Sequence, residues 1–451
     1  MERFLNRIHF LGIGGISQSA LAVILKSQGH FVSGSDRTSS EVTKRLVDLG
    51  IDVCIDGISS YISDADMVIV SAAIGDDDKE LLLAKKLGKV IIARSQALGM
   101  IADNYKNVIS IAGCHGKTTT TAMISKIFID AGLNPTVHIG GEVDYIDGNV
   151  HIGDNQFFIT EACEYFDSFL SLKSDVSVIL NVQKDHLDYF RTYSNIKKSF
   201  DKFAQNTKEN GLVVFCADDK NAQRKVKCCA VGYSCNNNGI VMAKNIKEYK
   251  KGKYSFDCWV LNKKLFKVRL GVFGYHNIEN ALASITVALF YGVSEKQIKQ
   301  SLHKFHGVKR RFEQYKTING VKVIHDYAHH PTEVSATIEL AKKITKGDIY
   351  VVFQPHTYSR TKHLLNEFST CFIKAKEVLI YKTYPAREKP EDGIDQDGLK
   401  NAIVEKGQTS LSFTDYLSMK KYILKRIKRH DLLLILGAGD IQSFAEYFIQ
   451  S

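Results

Sequence analysis

No apolar run in this chain of 451 residues is long enough to cross a bilayer. Runs such as Leu432-Leu-Leu-Ile-Leu436 have the length of a strand, so a helical membrane protein is excluded. The opening stretch, MERFLNRIHFLGIGG, is charged early and broken by glycines, and lacks the apolar segment of a secretory signal. A cytoplasmic location is the expectation. Also missing are internal repeats and low-complexity linkers, which removes solenoids and tethered disordered arrays. The nine cysteines contain no C-x-x-C pair and their number is odd. That argues against a disulfide framework or a zinc site, and for reduced thiols.

What is present points to several domains. A chain of this length exceeds what one hydrophobic core normally organises. The formal charge is +11, with the densest basic cluster at Lys420, Lys421, Lys425, Arg426, Lys428 and Arg429. Tyr422, Ile423, Leu424 and Ile427 between them mark a solvated helix with one face on a core, so nucleic acid is not expected as a partner. A positive field does suit polyanionic small substrates. Strand-like and helix-like segments alternate almost throughout, which predicts parallel α/β layers. The strand, glycine turn, helix pattern starts afresh at 8–36, 107–132 and 321–343, which predicts three α/β domains at 1–104, 105–311 and 312–451. Between 211 and 272, alternating apolar residues and turn signals predict hairpins added to the middle domain.

In the first segment, Gly12-Ile-Gly14-Gly15-Ile-Ser17 follows the strand IHFL and opens an amphipathic helix, with Asp36 ending the next strand. Backbone N–H groups at such a helix start face a diphosphate. Ser17 stands where a dinucleotide fingerprint has its third glycine, so a diphosphate other than a nicotinamide or flavin cofactor is favoured over NAD, with a structural turn as the alternative. In the second segment, IAGCHGKTTTT is a phosphate loop with unusual spacing. Ile111 occupies the place of the first glycine in G-x-x-x-x-G-K-[ST]. Gly113 and Gly116 still let the backbone close round phosphates, Lys117 can reach the outer ones, and the Thr118 hydroxyl suits Mg²⁺.

Two predicted strands then run into acids, FFITEACEYFDSFL and VSVILNVQKDHLDYF. Ligands gather at the C-terminal ends of parallel strands, so Glu161, Glu164, Asp185, His186 and Asp188 can converge near Lys117, though each alone fits a solvated turn. His276, Asn277 and Asn280 begin an Ala-rich helix, where adenine recognition and helix capping both account for the asparagines. Arg310 and Arg311 precede the third segment, a place from which a guanidinium can meet a transferring phosphate. There Asp326, Tyr327, His329 and His330 come before Pro331 at a helix start, His356 and Arg360 follow an apolar strand, and Arg387 follows another. Arg360 or Arg387 can hold a carboxylate bidentately. A metal at His329 and His330 is disfavoured, because adjacent histidines point apart on a helix.

Taken in order, HFLGIGG, AGCHGKTTT, EACEYFDSFL, LNVQKDHLDYF, GYHNIENALA, GVKRRFE, DYAHHPTE, FQPHTYSRT and YPARE resemble the Mur ligase family over nearly the whole chain. The pair DYAHHPTE and QPHTYSRT is the specific part, since the phosphate loop and NxxxDH are shared by all Mur ligases and, in looser form, by folylpolyglutamate synthases. The resemblance implies an N-terminal Rossmann-like domain for a UDP-sugar, a central P-loop ATPase-type domain and a C-terminal Rossmann-like domain for an amino acid. It implies an ATP-dependent, Mg²⁺-requiring ligase that joins L-alanine to the lactyl carboxylate of UDP-N-acetylmuramate through an acyl phosphate. This is a step of peptidoglycan precursor synthesis, and so of cell wall biogenesis, cell shape and cell division. The enzyme is expected to work as a monomer or homodimer.

Carried over residue by residue, the resemblance assigns Gly14, Gly15, Ser35, Asp36 and Ser71 to the UDP-sugar. It assigns Gly113, Cys114, His115, Gly116, Lys117, Thr118, Thr119, His276, Asn277, Asn280, Arg310 and Asp326 to ATP. Thr118, Glu161 and His186 would hold Mg²⁺, and Tyr327, His329, Arg360 and Arg387 would surround alanine. Lys117, His186, His329 and Arg360 would be catalytic, and Arg310 with Asp326 would close on ATP. Two positions depart from the pattern. Thr357 stands where relatives often have arginine, which shifts carboxylate recognition to Arg360 and Arg387. Phe200 stands where several Mur ligases carry a carbamylated lysine, so no carbamylation is expected. Within the family the rival is a ligase that returns a preformed tripeptide to the same UDP-sugar. Outside it the rivals are a nicotinamide oxidoreductase and a non-catalytic nucleotide-binding protein.

Overall fold

The computed structural model describes residues 4–450 apart from 316, 318, 387, 391 and 392, and at 188 it describes the backbone alone. Among the described residues three sheets organise the chain. The first has five parallel strands in the order 3-2-1-4-5, with Arg7–Leu11 in the middle between Phe31–Asp36 and Met67–Val70. This is the doubly wound order, and it puts the turn after Arg7–Leu11 at the point where the winding reverses. Ile8, Phe10 and Leu11 of that strand are buried, as expected for a strand covered on both faces.

The second sheet has ten strands. Its centre is Asn107–Ala112, paired in parallel with Phe157–Glu161 on one side and Val176–Ile179 on the other. Leu212–Cys216 and Cys229–Ser234 continue the parallel run, so the hairpin character expected from residue 211 begins further on, with Lys253–Val260 antiparallel to Lys263–Arg269. Phe215 and Tyr233 are buried there, which explains why these two segments join the covered part of the sheet. In the third sheet, Lys322–Asp326, Leu432–Leu436, Ile349–Phe353, Glu377–Tyr381 and Ser410–Phe413 are parallel, with the short Glu313–Gln314 antiparallel at one edge. By its contacts the chain divides into two units. One comprises the residues up to 306 other than 248–254 and 273–275, and the other comprises 248–254, 273–275 and 307–451. Among the described residues no helix is long and apolar enough to cross a membrane.

Candidate active site

In the first unit the strand Asn107–Ala112 delivers the chain into the turn Gly113-Cys-His-Gly116, and the helix Lys117–Asp130 leaves it. Gly116 caps that helix at φ +87°, and a Cβ there would stand 2.7 Å from Oδ1 of Asn280. Both the left-handed backbone and the close approach require glycine. Asn181 clamps the turn from the neighbouring strand end, its Oδ1 accepting from the His115 N–H at 2.9 Å and its Nδ2 donating to the His115 carbonyl at 3.0 Å. Cys114 is buried and its thiol is pushed up to about 12, by burial first and by Glu164 next, so it packs against the turn as a neutral group. Its Sγ accepts from the Gln183 N–H at 3.2 Å. Thr119 lies in the first turn of the helix.

Lys117 Nζ donates to the Gly113 carbonyl at 2.5 Å and to Glu164 at 2.9 Å. Burial works against its charge, but the carboxylate beside it more than compensates and its pKa is raised. Thr118 Oγ1 donates to Glu161 Oε2 at 3.2 Å, and the other Glu161 oxygen accepts from the Gly140 N–H at 2.5 Å. Nε2 of His186 lies 3.8 Å from both Glu164 and Asp185, and ligand atoms of these three groups lie within 4.8 Å of one another. Hard oxygen donors with one imidazole, beside a lysine for phosphate, fit a small divalent cation such as Mg²⁺. The expected metal residues thus fall in two neighbouring sets, Thr118 with Glu161 and His186 with Glu164 and Asp185. The Asp188 side chain lies outside the described residues.

Asn280 accepts from the Thr120 hydroxyl at 3.2 Å and donates to Asn277 Oδ1 at 2.8 Å. It therefore braces the back of the phosphate turn, with His276 at the cap of the same helix. At the first-sheet turn, the Gly14 N–H donates to Asp36 Oδ2 at 2.9 Å, and a Cβ on Gly14 would meet that oxygen at 2.8 Å. Gly15 caps the following helix in extended backbone. Ser35 is buried and donates to Glu80, and the Ser71 hydroxyl accepts from the Ala73 N–H at 3.2 Å.

In the second unit, Asp326 ends a strand and accepts from the N–H groups of Phe312 at 2.6 Å and Ala328 at 2.8 Å. Burial raises its pKa, and Arg311 pulls the other way. Arg310 donates to the carbonyls of Ala438 at 3.0 Å and Gly439 at 3.1 Å, and its guanidinium lies 4.7 Å from the Tyr327 ring centre. His329 Nδ1 lies 3.0 Å from the Tyr327 carbonyl. A carbonyl only accepts, so Nδ1 carries the proton and Nε2 keeps a free lone pair. Burial lowers this imidazole's pKa. Arg360 donates to Nδ1 of His356 at 3.2 Å, which leaves His356 neutral, its pKa pushed down to about 4 by burial and then by Arg360. The rings of His329 and His356 are 5.8 Å apart. Tyr327, His329 and Arg360 therefore gather at the strand ends of one sheet. Arg387 lies outside the described residues.

Three consecutive family models match: "Mur ligase family, catalytic domain" at residues 7–106, "Mur ligase middle domain" at 111–288 and "Mur ligase, glutamate ligase domain" at 310–439. A UDP-N-acetylmuramate–L-alanine ligase of Caldanaerobacter subterraneus subsp. tengcongensis is 43% identical over 453 residues, covering 100% of this chain and 98% of that protein. This chain belongs to the Mur ligase family. A second relative of the same name, from Clostridium botulinum, is 42% identical and covers 98% of this Mur ligase and 97% of its own length. Among solved structures, UDP-N-acetylmuramate-alanine ligase MurC of Thermotoga maritima superposes with a TM-score of 0.84 at 27% identity, covering 98% of each chain. A murein peptide ligase of Psychrobacter arcticus, at a TM-score of 0.74 and 22% identity over 98% of each chain, shares the fold. The family's α/β architecture of three domains with parallel sheets is the architecture of this chain.

Reading the sequence left two residues of this Mur ligase without a place in its site. Glu164 is one of the acids expected near Lys117, without a role of its own in the sequence pattern. It is the buried carboxylate that holds Lys117. Asn181, the clamp of the turn, carried a signal in the asparagine of LNVQKDH.

Proposed function

We propose that this chain is an ATP-dependent amide-forming ligase that joins L-alanine to the lactyl carboxylate of UDP-N-acetylmuramate, a step of peptidoglycan precursor synthesis. The observation that carries it is the phosphate turn with Lys117 on one strand end and Glu161, Glu164, Asp185 and His186 on the next two, in a chain whose full-length relatives carry that activity in their names. The domains run to about residues 104 and 311, and the enzyme works in the cytoplasm as a monomer or homodimer.

A carboxylate is a poor acyl donor, so its oxygen first attacks the γ-phosphorus of ATP and ADP leaves. The amine of L-alanine then attacks the acyl carbon, and phosphate departs from the tetrahedral intermediate. The turn 113–119 cradles ATP, and the Lys117 ammonium balances charge on the transferring group. Mg²⁺, when bound, neutralises phosphate charge, and Thr118, Glu161 and His186, with Glu164 and Asp185, are the groups that fit it. His276, Asn277 and Asn280 complete the ATP site of the first unit, and the family resemblance implies a role toward ATP for Arg310 and Asp326 of the second. Gly14, Gly15, Ser35, Asp36 and Ser71 take the UDP-sugar, with Ser35 acting through Glu80. Arg360 and Arg387 hold the alanine carboxylate beside Tyr327. Nε2 of His329, bare and neutral, accepts the proton that the alanine ammonium must lose before it attacks.

The test is phosphate release from ATP. It should require UDP-N-acetylmuramate, Mg²⁺ and L-alanine together, and release indifferent to the sugar would refute the proposal. Offering the tripeptide beside L-alanine separates the two ligase types.

A further inference from the structure

Arg94 opens the helix Arg94–Ala102 in the first unit and is half-buried. Its Nη1 donates to the Ser17 hydroxyl at 3.0 Å. Among the described residues no carboxylate offsets its charge. Burial opposes the cation, and the ionisable group on its favourable side is the Cys163 thiol rather than a carboxylate. A partly desolvated guanidinium without a counter-ion costs stability, so its placement needs another explanation.

The surroundings supply one. The Ser17 hydroxyl lies 3.0 Å from Nε2 of His138, and Nδ1 of His138 lies 2.8 Å from the Thr160 hydroxyl. That hydroxyl donates to the Glu161 carbonyl at 3.0 Å. Because Thr160 spends its proton there, it accepts from Nδ1–H of His138. Nε2 is then bare and accepts from Ser17, whose lone pairs are left for Arg94. One continuous chain of donors therefore runs from Arg94, through the residue after the Gly14-Gly15-Ile16 turn, to the strand end that bears Glu161. His138 is buried and held neutral, its pKa pushed down to about 3 by burial and then by Arg94, as this chain requires. Cys163 lies within electrostatic reach of both Arg94 and Lys117.

We propose that Arg94 binds an anionic group of the UDP-sugar, oriented by the Ser17, His138 and Thr160 chain, and so serves as a further substrate-binding residue for the ligase reaction. The inference rests on the function proposed above. The anion is either the diphosphate or the lactyl carboxylate, both of which accept bidentate guanidinium hydrogen bonds.

The experiment is calorimetric binding of UDP-N-acetylmuramate and of UDP-N-acetylglucosamine, which lacks the lactyl carboxylate, to the full chain and to Arg94→Ala, Arg94→Lys and Ser17→Ala. Arg94→Ala should weaken UDP-N-acetylmuramate at least ~10-fold, the scale of a lost charge-assisted hydrogen bond. Binding of an ATP analogue should stay within about twofold, and the melting temperature without ligand should not fall, because an unpaired cation has been removed. Arg94→Lys should recover part of the loss, and Ser17→Ala should cost about threefold. Equal weakening of both sugars identifies the diphosphate, and weakening of the muramate alone identifies the carboxylate. Unchanged binding of both to Arg94→Ala overturns the inference, as does weakening that follows a lowered melting temperature without rescue by lysine. Failure of the wild-type chain itself to bind UDP-N-acetylmuramate would overturn the functional reading, and this inference with it.

Discussion

The ammonium of Lys117 lies 2.9 Å from the carboxylate of Glu164, whose side chain is 1% exposed. A lysine meant for phosphate is thus held ready, charged and aimed, by an acid of the adjoining strand end. Replacing Lys117 with Met should lower kcat at least ~100-fold, the effect of losing a preorganised charge at the reacting group. It should also destabilise the first unit by about 3 to 5 kcal/mol, because Glu164 is left buried and unpaired. Adding Glu164→Gln should return most of that stability but none of the activity. Denaturant unfolding beside steady-state kinetics separates the two effects, and additive stability losses would show that the pair is uncoupled.

Glu161 links the Thr118 hydroxyl to the Gly140 amide, so it is prearranged before any cation arrives. Glu161→Gln keeps the shape and removes the charge. The Mg²⁺ concentration for half-maximal phosphate release should rise at least ~10-fold, with a smaller effect on the KM for L-alanine. A magnesium titration of both proteins checks this, and an unchanged midpoint would remove Glu161 from the metal site.

Arg360 rests on His356, and its charge reaches His329. Arg360→Lys keeps the charge but loses the planar fork, and the KM for L-alanine should rise about 10- to 100-fold while that for ATP moves little. Initial rates at varied alanine and varied ATP decide it. A rise confined to the KM for ATP would move Arg360 to the nucleotide.

Burial pushes the imidazoles of His138 and His325 down to about 3, with Arg94 and Arg310 respectively adding to the effect. A histidine in the unfolded chain titrates near ~6.5. Between pH 6.5 and 3 the unfolded chain therefore binds protons that the folded one refuses. Stability should be full above pH 7 and fall with declining pH, by up to ~1.4 kcal/mol per pH unit for each histidine. Urea midpoints from pH 7.5 to 5 measure the slope, and His138→Gln should flatten it. A midpoint that rises on acidification would contradict the buried neutral forms.

The alternation of strands and helices, the three restarts of the glycine turn and the order of motifs were legible in the residues, because hydrophobic periodicity and turn chemistry are local. Lys117 and Thr118 declared themselves through the loop that carries them. The partners did not. Glu164, Asn181 and Arg94 meet their targets across 47, 66 and 77 positions of chain, and no spacing rule reports which strand lies beside which. The pattern from residue 211 predicts hairpins, yet two of its strands extend the parallel sheet because their buried faces are covered. The sequence by itself determined the family, the layered architecture and the chemical types available at each strand end. Only the tertiary structure decided which carboxylate holds the lysine, which asparagine braces the phosphate turn and which cation stands without a counter-ion, since those depend on parallel strands bringing distant residues to the same edge.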